Sequence, residues 1–451
     1  MQKHDSLARG SIFHIFVVGF VALGLFAALP SESLAKRRPN IVLIMADDLG
    51  YECLGVDGGT SYKTPILDRL ANQGVRFTHC YSQPLCTPTR VQLMTGIYNV
   101  RNYVRFGLLD RKQTTFAQLF KKAGYATCIA GKWQLGHQAD SARHFGFDES
   151  CLWQHTRGRT KESGRDSRYP NPSLDINGKR VDYNQGQYGP DVVSDFACDF
   201  MERHRHESFL LYYPMILTHC PFVPTPDSKD WDPKDPGPMK YKGKPKYFGD
   251  MVSYMDKTVG KIVAKLEELG LRENTLVLFT GDNGTDQPIV SMMGKRRVVG
   301  GKRYMTDAGT HVPLIANWPG TISPDRVCND MVDFTDFMPT ICQVAGVDVP
   351  KDLKIDGHSF LAQLLDEKSD PRRWIYCWYS RTGRIDKARQ FARNQRYKLY
   401  GSGRFYDMAK DPLEKKDLSK SKLDDEASQA KAMLQKALDK YKDARPARLS
   451  R

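Results

Sequence analysis

Residues 40–48 read "NIVLIMADD": six consecutive apolar residues stopped by two aspartates. A run this short has the length of a strand. With no polar residue in alternation, both of its faces must be buried, as in a parallel sheet covered on both sides. Three further runs share that shape. "ATCIAGK" ends at Lys132, "SFLLYYPMILTH" ends at His219, and "NTLVLFTGDNG" carries Asp282 and Asn283 near its end. Between them lie "TPILDRLANQG", "TTFAQLFKKAG" and "YMDKTVGKIVAKLEELG", which have helical spacing and a closing glycine. This alternation predicts an α/β sandwich with a mostly parallel central sheet flanked by helices.

The polar ends of the runs carry the functional signal, because ligands of open α/β sheets bind beyond the carboxyl ends of the strands. Asp47, Asp48 and Asp282 with the Asn283 amide form a hard-oxygen set that suits Ca²⁺ or Mg²⁺ rather than zinc. Each pair alone is an ordinary cap or turn. Their recurrence at the same end of the runs makes the site.

The 451-residue chain is 40% hydrophobic and 26% charged, a globular composition that excludes a disordered protein. Residues 1–35 follow signal-peptide grammar: Lys3 and Arg9, the apolar run "IFHIFVVGFVALGLFAAL", then Ser33 and Ala35 as the small residues before a cut. The run is nearly long enough for a membrane anchor, but the small-residue site favours cleavage. Removing Lys3 and Arg9 together with Asp5 and Glu32 leaves the net charge at +15. No later segment is apolar enough to cross a membrane. The basic charge fits anionic partners such as polyanionic glycans, and no nucleic-acid-binding motif accompanies it. The ten cysteines include no C-x-x-C pair, which excludes a zinc ribbon or thioredoxin-type site. Setting Cys86 aside leaves nine, so this is not a disulfide framework. The sequon at Asn283 falls inside the expected buried site, which favours a bacterial periplasm over a glycosylating secretory route. The chain is therefore expected to be periplasmic or secreted.

Segments 157–190 and 224–248, rich in Gly, Pro, Lys and Tyr, read as long surface loops near the site. After residue 371 short strand-like stretches, "WIYCWYS", "RQFARNQRYKLYG" and "GRFYDM", precede a terminal helix in "DDEASQAKAMLQKALDKYKD". The expected organisation is residues 1–35 as signal, 36–370 as catalytic domain, and 371–451 as a small C-terminal subdomain with an antiparallel sheet and a helix.

"LCTPTRVQLMTG", residues 85–96, sets Cys86 before Thr87 and Pro88. Thr87 can cap a helix whose first residue is Pro88, which places the cysteine beside a helix N-terminus that can bind oxyanions. Arg90 lies just inside. The bland alternative is a buried thiol near a proline turn.

C-T-P-T-R followed by L-M-T-G resembles the signature of the formylglycine-dependent sulfatases of the alkaline phosphatase superfamily. "RPNIVLIMADDLGY", "GKWQLG", "THCPFVP", "FTGDNG", "GGKRYMTDAG", "DFTDFMPTICQVAGV", "IDGHSF" and "FYDMAKDPLEKKDL" match further segments of that family in order. The resemblance implies an alkaline-phosphatase-like sandwich. It also implies that a maturation enzyme oxidises Cys86 to formylglycine, whose hydrate attacks the sulfur of a sulfate ester and later expels sulfate. By the same resemblance Asp47, Asp48, Cys86, Asp282 and Asn283 hold Ca²⁺, with Mg²⁺ as the alternative, and Arg90 steadies the hydrate. Lys132 and Lys302 grip sulfate, and Lys302 or His219 protonates the leaving alcohol. The implied substrates are sulfated carbohydrates.

Three positions depart from the family pattern. Gln134 stands where many members have a histidine that assists the second step, and His137 is the candidate replacement base. Thr89 replaces a commoner serine, and His311 a frequent arginine. Two other readings stay open: a sister hydrolase of phosphonate or phosphate esters, and a catalytically weak glycan-binding protein motivated by Gln134.

Overall fold

A computed structural model describes residues 37–154, 162–239 and 243–449. The signal-like segment 1–35 lies outside them, as do residues 157–161 of the first glycine-rich segment. Among the described residues no helix is long and apolar enough to cross a membrane.

Sixteen strands are described. They are β1 (Asn40–Ala46), β2 (Val75–Tyr81), β3 (Ala126–Lys132), β4 (Glu149–Trp153), β5 (Ser173–Ile176), β6 (Lys179–Asp182), β7 (Phe209–Pro214), β8 (Thr275–Gly281), β9 (Val290–Met293), β10 (Arg296–Val299), β11 (His311–Asn317), β12 (Arg326–Asp333), β13 (Ile375–Tyr379), β14 (Arg389–Arg393), β15 (Tyr397–Tyr400) and β16 (Phe405–Asp407). The ten-stranded central sheet has the order β12-β2-β11-β8-β1-β7-β3-β4-β5-β6. Strands β8, β1, β7 and β3 at its centre are parallel to one another. The four apolar runs of the sequence are therefore adjacent, and their carboxyl ends line up.

The unbroken apolar run of β1 follows from this position. Ile41, Leu43 and Met45 enter the core on one face, while Val42, Ile44 and Ala46 enter the core on the other. Helices Cys86–Thr95, Phe116–Lys122 and Asp425–Lys440 contribute to the first core, and Pro65–Asn72, Gly189–Arg203 and Phe248–Glu268 to the second. The last of these starts six residues before its periodic sequence and stops where Gly270 takes a left-handed φ of +65°.

The C-terminal strands form an antiparallel sheet, β13-β14-β15-β16. Asp424 caps the terminal helix by accepting the Ala427 N–H at 2.8 Å. Tyr376, Leu399 and Leu434 share the first core with Leu43, so this sheet packs into the sandwich.

Two local expectations are corrected. Helix Cys86–Thr95 begins at Cys86 itself with Leu85 as its cap residue, and Thr87 does not cap it. The Thr87 hydroxyl accepts the Gly107 N–H instead, while the Thr89 hydroxyl donates to the Leu85 carbonyl and accepts the Gln83 N–H, stapling the entry turn. The described part of segment 157–190 is not simply a surface loop. It adds β5 and β6 to the central sheet and buries Arg168.

Candidate active site

The site is assembled at the carboxyl ends of the central strands. The Asp47 N–H donates to Leu217 O and the Thr218 N–H to Asp47 O, which continues the pairing of β1 with the chain after β7. The Asp282 N–H donates to Ala46 O, tying β8 to the end of β1. Gly131 in β3 leaves no room for a side chain: a Cβ there lies 1.9 Å from the Pro214 carbonyl oxygen. That close approach sets Lys132 beside Asp47.

Three ion pairs form the floor. Lys132 Nζ donates to both Asp47 oxygens, at 2.6 and 2.9 Å. Arg90 donates to Asp282 Oδ2 at 2.8 and 3.2 Å, and Lys302 Nζ to Asp48 Oδ2 at 2.5 Å. All six groups are buried. Burial pushes the Asp47 and Asp48 carboxyls up, against the pull of Lys132 and Lys302. Burial works to lower the three cations, but Asp282 beside Arg90, Asp47 beside Lys132 and Asp48 beside Lys302 outweigh it and hold each above its usual value.

The donor set fits a hard divalent cation. Asn283 Nδ2 donates to Asp48 Oδ1 at 2.8 Å and to the Gly284 carbonyl at 2.9 Å. Its Oδ1 is left buried with no hydrogen-bond partner among the described residues, an orphan acceptor of the kind a metal satisfies. Asp47, Asp48 and His219 also place one ligand atom each within 4.8 Å of one another. His219 Nδ1 lies 2.7 Å from the Arg168 guanidinium and 2.5 Å from the Cys220 carbonyl. The Cys220 carbonyl can only accept and the Lys302 ammonium, 3.1 Å from Nε2, can only donate, so these two contacts place the proton on Nδ1 and make Nε2 the acceptor. The Nε2 lone pair is then taken up by Lys302, and the oxygens of Asp47, Asp48, Asp282 and Asn283 remain the hard-donor set.

Cys86 lies in a cavity of about 460 Å³ that it shares with Gln134, His219 and Lys302. Its Sγ–H donates to Gln134 Oε1 at 3.0 Å. Burial raises the thiol above its ordinary value, more than Lys132 lowers it. Asp48, Gln134 and Arg303 all adopt positive φ, at +61°, +52° and +76°. Three such non-glycine residues around one cavity are the backbone signature of a functional site.

All ten residues expected at the site meet here. His137 does not: it is exposed and does not line the cavity, so it is no candidate base. Sequence reasoning missed Arg168, Arg303, Arg381, Phe106 and Phe222. Arg168 is paired with Asp166 at 2.9 Å and lies over the Trp153 ring, while the other four line the cavity. His311 lies outside the cavity, stacked on Tyr51 at 4.0 Å.

A mostly parallel sandwich with carboxylates, an amide and paired cations at its strand ends agrees with the alkaline phosphatase superfamily, the class to which the sequence match assigns the chain. The chain belongs to the sulfatase family, whose sequence model matches residues 39–347, and its chemistry is the hydrolysis of sulfate esters. A second model, for the C-terminal region of N-sulphoglucosamine sulphohydrolase, matches residues 299–444. The chain is 33% identical over 390 residues to mouse (Mus musculus) N-acetylgalactosamine-6-sulfatase, covering 79% of this chain and 71% of that one. It is 31% identical over 390 residues to human (Homo sapiens) arylsulfatase A, covering 79% and 73%. Its fold is similar to a solved structure in complex with the substrate D-glucosamine-2-N,6-O-disulfate, with a TM-score of 0.73, 24% identity, and 90% and 99% of the two chains covered.

Proposed function

We propose that this sulfatase is exported and desulfates carbohydrates, with Cys86 matured to formylglycine. The observation that carries the reading is the buried Cys86 at the head of a helix, in a cavity that also holds Lys302 and His219. As a thiol it is a poor nucleophile. As the formylglycine of the family it supplies a hydrated aldehyde, a nucleophile that needs no thiolate. N-acetylgalactosamine-6-sulfatase is named for a sulfated sugar, and the solved structure named above binds D-glucosamine-2-N,6-O-disulfate, which supports the substrate class.

Asp47, Asp48, Asp282 and Asn283 hold Ca²⁺ or Mg²⁺ in this reading, with residue 86 beside them. The three ion pairs of the floor sum to no net charge, so a divalent cation there leaves an excess of positive charge toward an anionic ester. Arg90 orients residue 86, and Lys132 and Lys302 bind sulfate oxygens. Lys302 Nζ donates to His219 Nε2 at 3.1 Å, so the pair can deliver a proton to the leaving alcohol. Residues 1–35 direct the chain to the periplasm or outside the cell, residues 36–370 form the catalytic domain, and 371–451 form its C-terminal subdomain.

Two measurements on protein co-expressed with a maturing enzyme test the reading. Mass spectrometry of the tryptic peptide ending at Arg90 should find formylglycine at position 86. The same protein should release sulfate from a panel of sulfated mono- and oligosaccharides. An unmodified thiol in a fully active enzyme would overturn the assignment.

A further inference from the structure

The cavity that holds Cys86 opens past two arginines, Arg303 and Arg381, both exposed. Neither has a carboxylate partner among the described residues. Arg303 is held at its positive φ by an N–H bond to the Pro84 carbonyl at 2.7 Å, in the segment that leads into Cys86. A bulky residue keeps such a conformation only where its surroundings enforce it. The Arg381 guanidinium lies 5.3 Å from the Phe106 ring centroid, on the same cavity wall.

A second cavity of about 890 Å³ is lined in part by chain neighbours of the first cavity's residues. Arg303 lines the first and the next residue, Tyr304, the second, and Arg381 lines the first while Ile385 and Arg389 line the second. Arg389, Arg404 and Lys442 line this larger cavity, are exposed, and have no carboxylate partner among the described residues. The one acidic residue on its wall, Glu414, is engaged by Lys398 Nζ at 2.8 Å and Tyr400 OH at 2.5 Å. Arg445 is spent on the backbone, donating to the Val100, Tyr103 and Gly383 carbonyls. Tyr304, 55% exposed, offers an aromatic face to the cavity. Unpaired arginines recognise sulfate and carboxylate groups through planar, two-pronged hydrogen bonds, and an exposed tyrosine adds apolar contact with a polar rim.

We propose that the two cavities form one extended binding site for a polyanionic oligosaccharide. The scissile sulfate lies at Cys86, a second anionic group is held by Arg303 and Arg381, and the next sugars lie in the cavity walled by Tyr304, Arg389, Arg404 and Lys442. This rests on the sulfate-ester reading of the Cys86 site and adds to it that the preferred substrate is longer than one sugar and carries more than one negative charge.

The test is calorimetric titration of the full chain with Cys86 unconverted, in calcium buffer, so that binding is read without turnover. The probes are N-acetylgalactosamine 6-sulfate and a chondroitin 6-sulfate tetrasaccharide, in which sulfate and carboxylate sugars alternate. The tetrasaccharide should bind about tenfold more tightly than the monosaccharide, and Arg303→Asn/Arg381→Gln should remove about that tenfold. Asparagine is used because it tolerates the positive φ. Arg389→Ser/Arg404→Ser should weaken the tetrasaccharide about threefold and change the monosaccharide less. A control, Lys351→Ser/Lys354→Ser, removes two exposed cations that line neither cavity and should change neither probe. Carboxyl-reduced tetrasaccharide identifies the second anion: retained affinity assigns a sulfate to Arg303 and Arg381, and lost affinity a carboxylate. Equal affinity for both probes, equal losses on both, or the same loss in the control would overturn the proposal. Aryl sulfate turnover by converted enzyme is scored separately. Its absence with the binding pattern intact refutes the catalytic reading alone, and its presence without that pattern refutes the extended site alone.

Discussion

The floor and the mouth of the cavity both carry positive charge but hold it in opposite ways. On the floor Arg90, Lys132 and Lys302 are buried, and each lies against a carboxylate of Asp282, Asp47 or Asp48. At the mouth Arg303 and Arg381 are exposed, with no carboxylate partner among the described residues. Buried charges depend on one another, because removing one strands its partner away from water. Exposed charges carry no such debt to the fold. The floor thus ties chemistry to stability, whereas the mouth is free to answer to the ligand alone.

The largest effects should separate chemistry from stability within the floor itself. Cys86→Ala should lower turnover of matured enzyme by at least about 10⁴-fold and leave the urea midpoint close to the parent's, because Cys86 carries no floor charge. Asp282→Ala should lose turnover comparably and also destabilise the protein by about 3–5 kcal/mol, since Arg90 is then buried without its main partner. A parental urea midpoint for Asp282→Ala would mean that the floor is not the mutually dependent set described. Metal removal probes the same floor from outside. Exhaustive chelation should remove most turnover and Ca²⁺ should restore it, with one divalent cation per chain by elemental mass spectrometry.

The floor was legible in the sequence and the mouth was not, for a physical reason. Floor residues sit at the ends of strands buried on both faces, so each apolar run announces where it stops: Asp47, Lys132 and Asp282 stand at or just past the last strand residue. Arg303 and Arg381 stand in connecting segments with no periodicity, and only the packing of the C-terminal sheet beside the 302–306 segment brings them to one cavity. Arg168 was hidden differently. Its polar, glycine-rich surroundings read as surface, yet Asp166 neutralises it and Trp153 covers it, so it is buried. The capping role given to Thr87 failed because the helix starts two residues earlier, where the Thr89 hydroxyl already fastens the turn.

Arg168 gives the intermediate effect. It touches His219 and Asp166 but not the floor carboxylates, so it acts by positioning. Arg168→Lys keeps a charge for Asp166 but loses the fork that reaches Nδ1. If His219 Nε2 serves the leaving alcohol, kcat on a sugar sulfate should fall about tenfold, with a much smaller loss on 4-nitrophenyl sulfate, whose leaving group needs no proton. Equal losses on both substrates would reduce Arg168 to a structural role.

The smallest effect belongs to Gln134, which lies between floor and mouth. It is partly exposed, at positive φ, and its Oε1 accepts the Cys86 thiol proton. A glutamine at neutral pH cannot take up a proton, so any step of the matured enzyme that needs a base at this position is slowed. His137, three residues on, offers no remedy from its exposed place outside the cavity, and His137→Ala should be nearly silent. The expected consequence is kinetic. Rapid mixing with 4-nitrophenyl sulfate should give a burst of nitrophenol approaching one per active site, followed by a slower steady rate, because release of sulfate then lags behind release of alcohol. Gln134→His should shrink the burst and raise the steady rate by about two- to fivefold, a modest gain because a histidine placed without its own supporting contacts recovers only part of a base's usual effect. A linear time course in the parent would show that the second step is not slow. The proton acceptor would then have to be sought on the floor, among groups already within hydrogen-bonding reach of Lys302.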